Sequence, residues 1–515
     1  MFLEKKEITQ FIRLVMDSRE KNLINKINMM RNFSVLSALS LLLVMGSSCE
    51  KPAAVKLQLN GIACVQCHTI QSAADLQALS LQPGDTVIMK SGDWTNQELT
   101  FNAQGTSQQP IVLLAEQPGT VLMKGTSSVS ITGKWLVVSG LVFQNGYTSG
   151  KNVVDFTSSS SNCRLTNTAI VDYNPPAATT DYRWVSINGS NHRIDHCYLK
   201  GKLHQGPTMV VWGTNKTMKH RIDHNFFGER AELPNNGGET IRIGTSDWSM
   251  TSAFTTIEDN IFQRCNGETE IISNKMGGDT IRNNFFHESE GTLCLRHGNG
   301  SAVYGNYFVG NGNSAAGGIR IIGEDHIVYN NYFQNMAGTG QKAPVAIMDG
   351  VPNSPLSGYY QVKRVKVVAN TMIKCKQSFD IGSGKGGNSR TLPPTDGHIA
   401  NNVVSQASTS TMLTFTDQPV NFTYQGNIVY DVPTSQQLPA GFARQNPKYT
   451  LTTDGIYEPT STSPVLGAFV GNYPFATAAD AGAPKLDAKH RDLLKAQNIG
   501  PGFMTGLGSS LVINP

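Results

Sequence analysis

Charge is scarce in this chain and almost evenly balanced. Only 16% of its 515 residues are Asp, Glu, Lys or Arg, and 42 basic against 38 acidic residues leave a formal net charge of +4. That balance excludes a general nucleic-acid binder, which needs a basic surface, so any attraction for a polyanion must be local. The apolar run SVLSALSLLLVM (34–45) is too short to cross a bilayer. Of 8 cysteines, seven follow Cys49, so these cannot all pair with one another.

The apolar run follows Arg31 and ends in GSSC at Cys49, the layout of a secretory signal peptide. The small residues before Cys49 point to lipoprotein processing, with acylation of that cysteine; a noncleaved anchor helix is the other reading. The charged stretch 1–28 is longer than an n-region needs, which makes Met29 or Met30 a better start than Met1. Residues 1–48 are therefore expected to be a signal peptide with an upstream extension, and 49–67 a lipid-anchored linker. The expected location is periplasmic or outer-membrane, as an exported lipoprotein of a Gram-negative bacterium that meets the membrane only through lipid. CVQCH (64–68) matches the c-type haem attachment pattern. It stands here once, with no helical cytochrome sequence around it, so a bridge or structural thiols fit better.

Glycine is plentiful, at 50 residues, and short β-prone runs recur: KHRIDHNFF (219–227), FTTIEDNIF (254–262), GDTIRNNFF (278–286), GSAVYGNYF (300–308) and DHIVYNNYF (325–333). The aligned Asn225, Asn260, Asn284, Asn306, Asn331, Asn370, Asn402 and Asn427 are 35, 24, 22, 25, 39, 32 and 25 apart. Periods of this size, with insertions absorbed by the longer gaps, indicate a solenoid. Asn suits its corners, since it tolerates left-handed backbone angles and can bond along a ladder. An antiparallel sandwich has no reason to repeat Asn-aromatic pairs at one offset. The fold expected is all-β, a right-handed single-stranded parallel β-helix over 68–460. Ser72 N-caps a short helix that covers its open end, and a tail, 461–515, packs on the coils.

The chemistry gathers in GETEIISNK (267–275) and TLCLRHG (292–298). Alternate strand residues share a face, so Glu268 and Glu270 are expected outward, with Thr269 and Ile271 inward, gripping one hard cation beside Lys275. One coil on, Leu293 and Leu295 point inward and Thr292, Cys294 and Arg296 outward, followed by His297. In GGIRIIGEDH (317–326), Arg320 is 24 residues beyond Arg296, so their guanidinia should stack on neighbouring strands about 5 Å apart. NNGGETIRIG (235–244) adds Asn236, Glu239 and Arg242. Outward charges on a solenoid are usually solvated surface; convergence within four successive coils argues for a site.

With these motifs the sequence resembles polysaccharide lyase family six, whose members include alginate lyases and a dermatan-sulfate-cleaving chondroitinase. NGGETIRIG, ETEIISNK, LRHG and RIIGEDH are the most specific parts. The resemblance implies Lys275 as Brønsted base, Arg296 as acid or charge-stabilising partner, and Asn236, Glu268 and Glu270 as Ca2+ ligands, with Asn235 an adjacent candidate for the amide. It implies that His297, Arg320, Arg242 and Glu239 bind substrate or support the site. The activity implied is β-elimination on an anionic 4-linked uronate polysaccharide: calcium on the uronate carboxylate stabilises the charge formed when a neutral Lys275 removes the C5 proton. Alginate is favoured, since the RIG and RIIGEDH motifs look like the alginate-cleaving branch. The residues alone also leave room for a β-helix glycoside hydrolase, which needs an acid/base carboxylate pair, and for a polysaccharide-binding solenoid without catalysis.

Overall fold

Each coil of the chain forms three short strands, and each strand pairs in parallel with its equivalent on the next coil. In the computed structural model, which describes residues 65–234, 236–405, 411–467 and 480–515, this stacking yields sheets of 14, 12 and 14 strands. The architecture is the parallel β-helix expected. Cys49 and the 1–64 segment lie outside the described residues.

The strands read as alternation. In Glu98–Gln104 every second side chain, Leu99, Phe101 and Ala103, is buried. Aligned inward positions stack like on like: Phe227, Phe262, Phe286, Phe308 and Phe333 lie 4.9, 4.7, 4.5 and 4.8 Å apart by ring centroid, which is the strand spacing itself.

The asparagines form a ladder in the interior. From Asn225 to Asn427 each side-chain Oδ1 accepts from the backbone N–H of the equivalent residue one coil earlier, beginning with Cys197. Every rung is fully buried. The left-handed corner belongs to the residue before each rung: His224, Asp259, Asn283, Gly305, Asn330, Ala369, Asn401 and Gly426 all have φ between 48° and 65°. Thus the rung Asn is there for its amide, and its neighbour takes the turn.

The helix Ala73–Gln77 sits at the N-terminal end, with the Ser72 hydroxyl accepting from the Asp75 N–H and Leu76 buried against the core. Cys67 is disulfide-bonded. Cys163, Cys197, Cys265, Cys294 and Cys375 are buried free thiols, and burial pushes them all upward, out of the reactive range.

After the last coils, a hairpin of Tyr449–Leu451 and Tyr457–Pro459 leads into a segment lying along one outer face. Ile456, Leu486, Leu493, Leu494 and Ile499 bury Phe226, Ile261, Phe285, Tyr307 and Tyr332. The segment reaches as far as Asn167, whose Oδ1 accepts from the Gly502 N–H at 2.6 Å. The tail thus covers the outer face of one 14-stranded sheet and leaves the 12-stranded sheet open.

Candidate active site

The site lies on the outer face of the 12-stranded sheet, on Ile241–Ile243, Glu270–Asn274, Gly291–Leu295 and Ala316–Ile321. A register shift between Glu270 and Ile272 places Ile272, not Ile271, opposite Leu293. Such a bulge inserts one residue and changes the parity of all that follows. Glu270 and Lys275, five apart, would otherwise point to opposite faces; with the bulge, Ser273 and Lys275 join Glu270 outside while Ile272 and Asn274 turn in. Ile271 and Ile272 are both buried. Contrary to the expected alternation, Thr269 is exposed, because the strand begins only at Glu270 and Glu268 stands in the bend before it.

The bulge also aligns Lys275 with Arg296. Asn274 pairs with Leu295, and the Asn274 carbonyl accepts from the N–H of Arg296 at 2.7 Å, so Lys275 and Arg296 are equivalent residues of successive coils. Lys275 Nζ lies 4.0 Å from Glu239 Oε1, which is also 3.9 Å from Arg242. Glu239 is buried, and its Oε2 has no hydrogen-bond partner.

Glu268 Oε2 accepts from the N–H groups of Gly237 and Gly238 at 2.9 and 3.3 Å. Burial, with Glu239 and Glu270 close by, nevertheless pushes its carboxyl up to about 7. Glu270 moves the other way. Burial would raise it, but Arg320, the Ser273 hydroxyl, Lys275 and Arg296 outweigh that and hold it below the usual carboxylate range. Asn236 is exposed beside the two glycines, and Asn235 lies outside the described residues. Among those described, no three His, Cys, Asp or Glu side chains converge as a metal cluster.

Arg320 and Arg296 do not stack as register partners. A second shift, between Gly291 and Leu293, sets Arg320 opposite Cys294, and Arg296 follows two residues later. Both arginines instead converge on Glu270: Arg320 Nη2 donates to Oε1, and Arg296 Nε is 4.0 Å from it. Arg320 is 6% exposed and also meets Cys294 Sγ at 3.1 Å and Gln341 at 3.4 Å. Thr292 and Cys294 are likewise buried; Cys294 packs with Ile322, Met348 and Tyr359.

Tyr359 joins the site from the long insertion between Asn331 and Asn370, which carries none of the repeat's motifs. Its ring lies 4.1 Å from Arg296 Cζ, while the carbonyls of Gly358 and Ser357 accept from Arg296 at 2.8 and 3.1 Å. His297 is buried between Arg296 (3.3 Å) and Ser246 (3.2 Å). Burial, then Arg296 and Lys275, push it down to about 3, so it is neutral. His297 therefore braces Arg296 as a neutral ring.

A family model for chondroitinase B matches residues 70–469. Among solved structures, the chain is similar to AlyGC, described as a PL6 family alginate lyase, with 36% identity, 77% of this chain and 55% of that one covered, and a TM-score of 0.73. It is also similar to a mannuronic acid specific family 6 lyase from human gut microbiota, with 32% identity over 73% of this chain and 90% of that one, TM-score 0.66. A third, Pedsa3628 from Pseudopedobacter saltans, shares 28% identity over 76% and 98%, TM-score 0.63. The chain spans a little over half the length of AlyGC. No curated protein matches it.

Proposed function

The chain belongs to polysaccharide lyase family six, and from that premise we propose that it is a calcium-dependent lyase cleaving a 4-linked uronate polysaccharide, alginate, by β-elimination. The observation that carries this reading is the pairing of Lys275 with Arg296 on successive coils beside the acids Glu268 and Glu270. Alginate is supported by the relatives, two of which are described as an alginate lyase and a mannuronic acid specific lyase.

The residues fit calcium. Glu268 is a half-buried carboxyl with other acids around it, raised to about 7, and Glu239 carries an unpartnered buried oxygen. Both leave carboxylate oxygens without a bonded cation, and hard oxygen donors suit calcium. Glu268, Glu270 and Asn236 would hold it. When bound, the ion supplies positive charge to the uronate carboxylate and so acidifies the neighbouring C5–H.

Lys275, in its neutral form, takes the C5 proton. The C5–H electron pair becomes the C4–C5 double bond as the C4–O bond breaks, and the departing oxygen acquires a proton. Glu239, 4.0 Å from Nζ, balances the ammonium that Lys275 acquires. Arg296 is held by Tyr359, Gly358, Ser357 and His297 in one position, a donor set beforehand for the charge that develops.

The test is incubation with alginate and with dermatan sulfate. A rise in ultraviolet absorbance on alginate supports the reading; a rise on dermatan sulfate alone moves the substrate to the chondroitinase branch. New reducing ends without absorbance mean hydrolysis, and no product means a binding protein. Export with acylation of Cys49 belongs to the same proposal. Incorporation of labelled fatty acid should be lost in Cys49→Ala.

A further inference from the structure

Trp212 occupies the same register position as Gly244, Lys275 and Arg296, on four successive coils. At the strand spacing of about 4.8 Å, it lies roughly 10 Å from Lys275 along the helix axis. Gly244 between them presents no side chain, and a Cβ there would collide with Met276 at a φ of +73°, so that step of the file stays open.

Trp212 is half-buried and takes no part in the core. Its indole N–H donates to Ser186 Oγ at 2.9 Å, which fixes the ring. Arg183 and Arg242 bring their guanidinium carbons to 5.2 and 5.5 Å from the ring centroid, within cation–π reach. Their acidic contacts are loose: Asp181 is 3.4 Å from Arg183, and Glu239 is 3.9 Å from Arg242. Both arginine Nε atoms are buried without a hydrogen-bond partner. In a chain so sparing of charge, two arginines held mainly by an indole on the same sheet face as Lys275 need a reason.

We infer that Arg183 and Trp212 form a second carboxylate-binding position, two coils toward the N-terminus from Lys275, for a uronate of the chain being cleaved. Guanidinium groups set against a ring keep N–H edges free, and these match a carboxylate in two-point contact. A 4-linked pyranose chain laid along the helix axis advances by close to one coil per sugar, so a uronate about two sugars from the cleaved one reaches this position. The inference rests on the uronate-lyase reading above and adds the length of chain that is read.

The experiment is calorimetric binding of disaccharide and hexasaccharide mannuronate and guluronate to folded Lys275→Ala protein, with and without Arg183→Gln or Trp212→Leu. Either change should weaken hexasaccharide binding roughly tenfold, the scale of one charged hydrogen-bonded contact, and leave the disaccharide unaffected. Arg183→Lys should recover part of the loss, which a packing defect would not show. Equal losses for both lengths, or none for either, overturn this second position and leave the lyase reading standing. If Lys275→Ala binds no uronate oligomer of any length, the function and this position fall together.

Discussion

Lys275 and Arg296 are equivalent residues of neighbouring coils, and they become so only through the bulge at Glu270. Without it Lys275 would face the core, where strand parity puts the residue five beyond Glu270. The bulge therefore brings Lys275 to the face that carries the acids. At the strand spacing the two backbones are about 4.8 Å apart, close enough for both side chains to address one sugar.

Removing Lys275, the proposed base, should stop the chemistry and spare the fold. Lys275 is partly exposed, with its Nζ no closer than 4.0 Å to Glu239, so Lys275→Ala should change stability by only about 0.5 kcal/mol. Turnover should fall by ~10²–10⁴-fold, the scale of a positioned general base. Absorbance kinetics on alginate check the loss, and circular dichroism checks the fold. A folded variant with near-normal elimination would mean that the base is elsewhere.

Tyr359 should matter through Arg296 alone. Its ring lies 4.1 Å from the guanidinium and its loop supplies two carbonyl acceptors. Tyr359→Ala should lower kcat more than it raises KM, because Arg296 loses its fixed position. Tyr359→Phe keeps the ring and should retain most activity. Equal losses in the two variants would give the role to the hydroxyl.

Arg320 is the counter-ion of Glu270, and its removal should show first in stability. Arg320 is buried and Glu270 largely so, and taking away one partner of a buried pair costs about 3–5 kcal/mol, since the other charge is left uncompensated. In chelator, Arg320→Ala should therefore unfold well below the wild type. Calcium, binding the freed carboxylate, should raise its Tm by more than it raises that of the wild type. Equal calcium shifts in the two proteins would separate Arg320 from the ligand set.

Much of this was legible in the sequence because the ladder repeats one residue type at one structural position. Asn260, Asn284 and Asn306 have the same partners in successive coils, and the repeat exists to satisfy that geometry. The residue types at Glu268, Glu270, Lys275 and Arg296 were equally plain. Register was not. A one-residue bulge leaves no local mark in EIISNK, and counting 24 residues from Arg296 to Arg320 cannot detect the shift at Gly291. Tyr359 sits inside the longest interval of the repeat, the 39 residues from Asn331 to Asn370. The insertion was visible, but where it folds back depends on the tertiary structure. Its paired tyrosines, SGYY, were the available hint.

Asp279 should give the fold a pH dependence separate from catalysis. It is fully buried, and its carboxyl accepts from the Thr255 N–H at 2.7 Å and from the Asn274 side chain. Burial raises its carboxyl from 3.8 to about 7. The folded state thus prefers the protonated acid, while the unfolded chain ionises near 3.8. Below that value Asp279 costs the fold nothing. As pH rises from about 4 to about 7 the folded state holds on to its proton and loses stability steadily, and above about 7 the full penalty applies, on the order of 4 kcal/mol. Asparagine keeps the Oδ1 acceptor and cannot ionise. Asp279→Asn should therefore raise Tm at about pH 8 and have little effect at about pH 4. Thermal unfolding across this range decides the point: a Tm difference that stays constant with pH would show that Asp279 acts through packing and not through its charge.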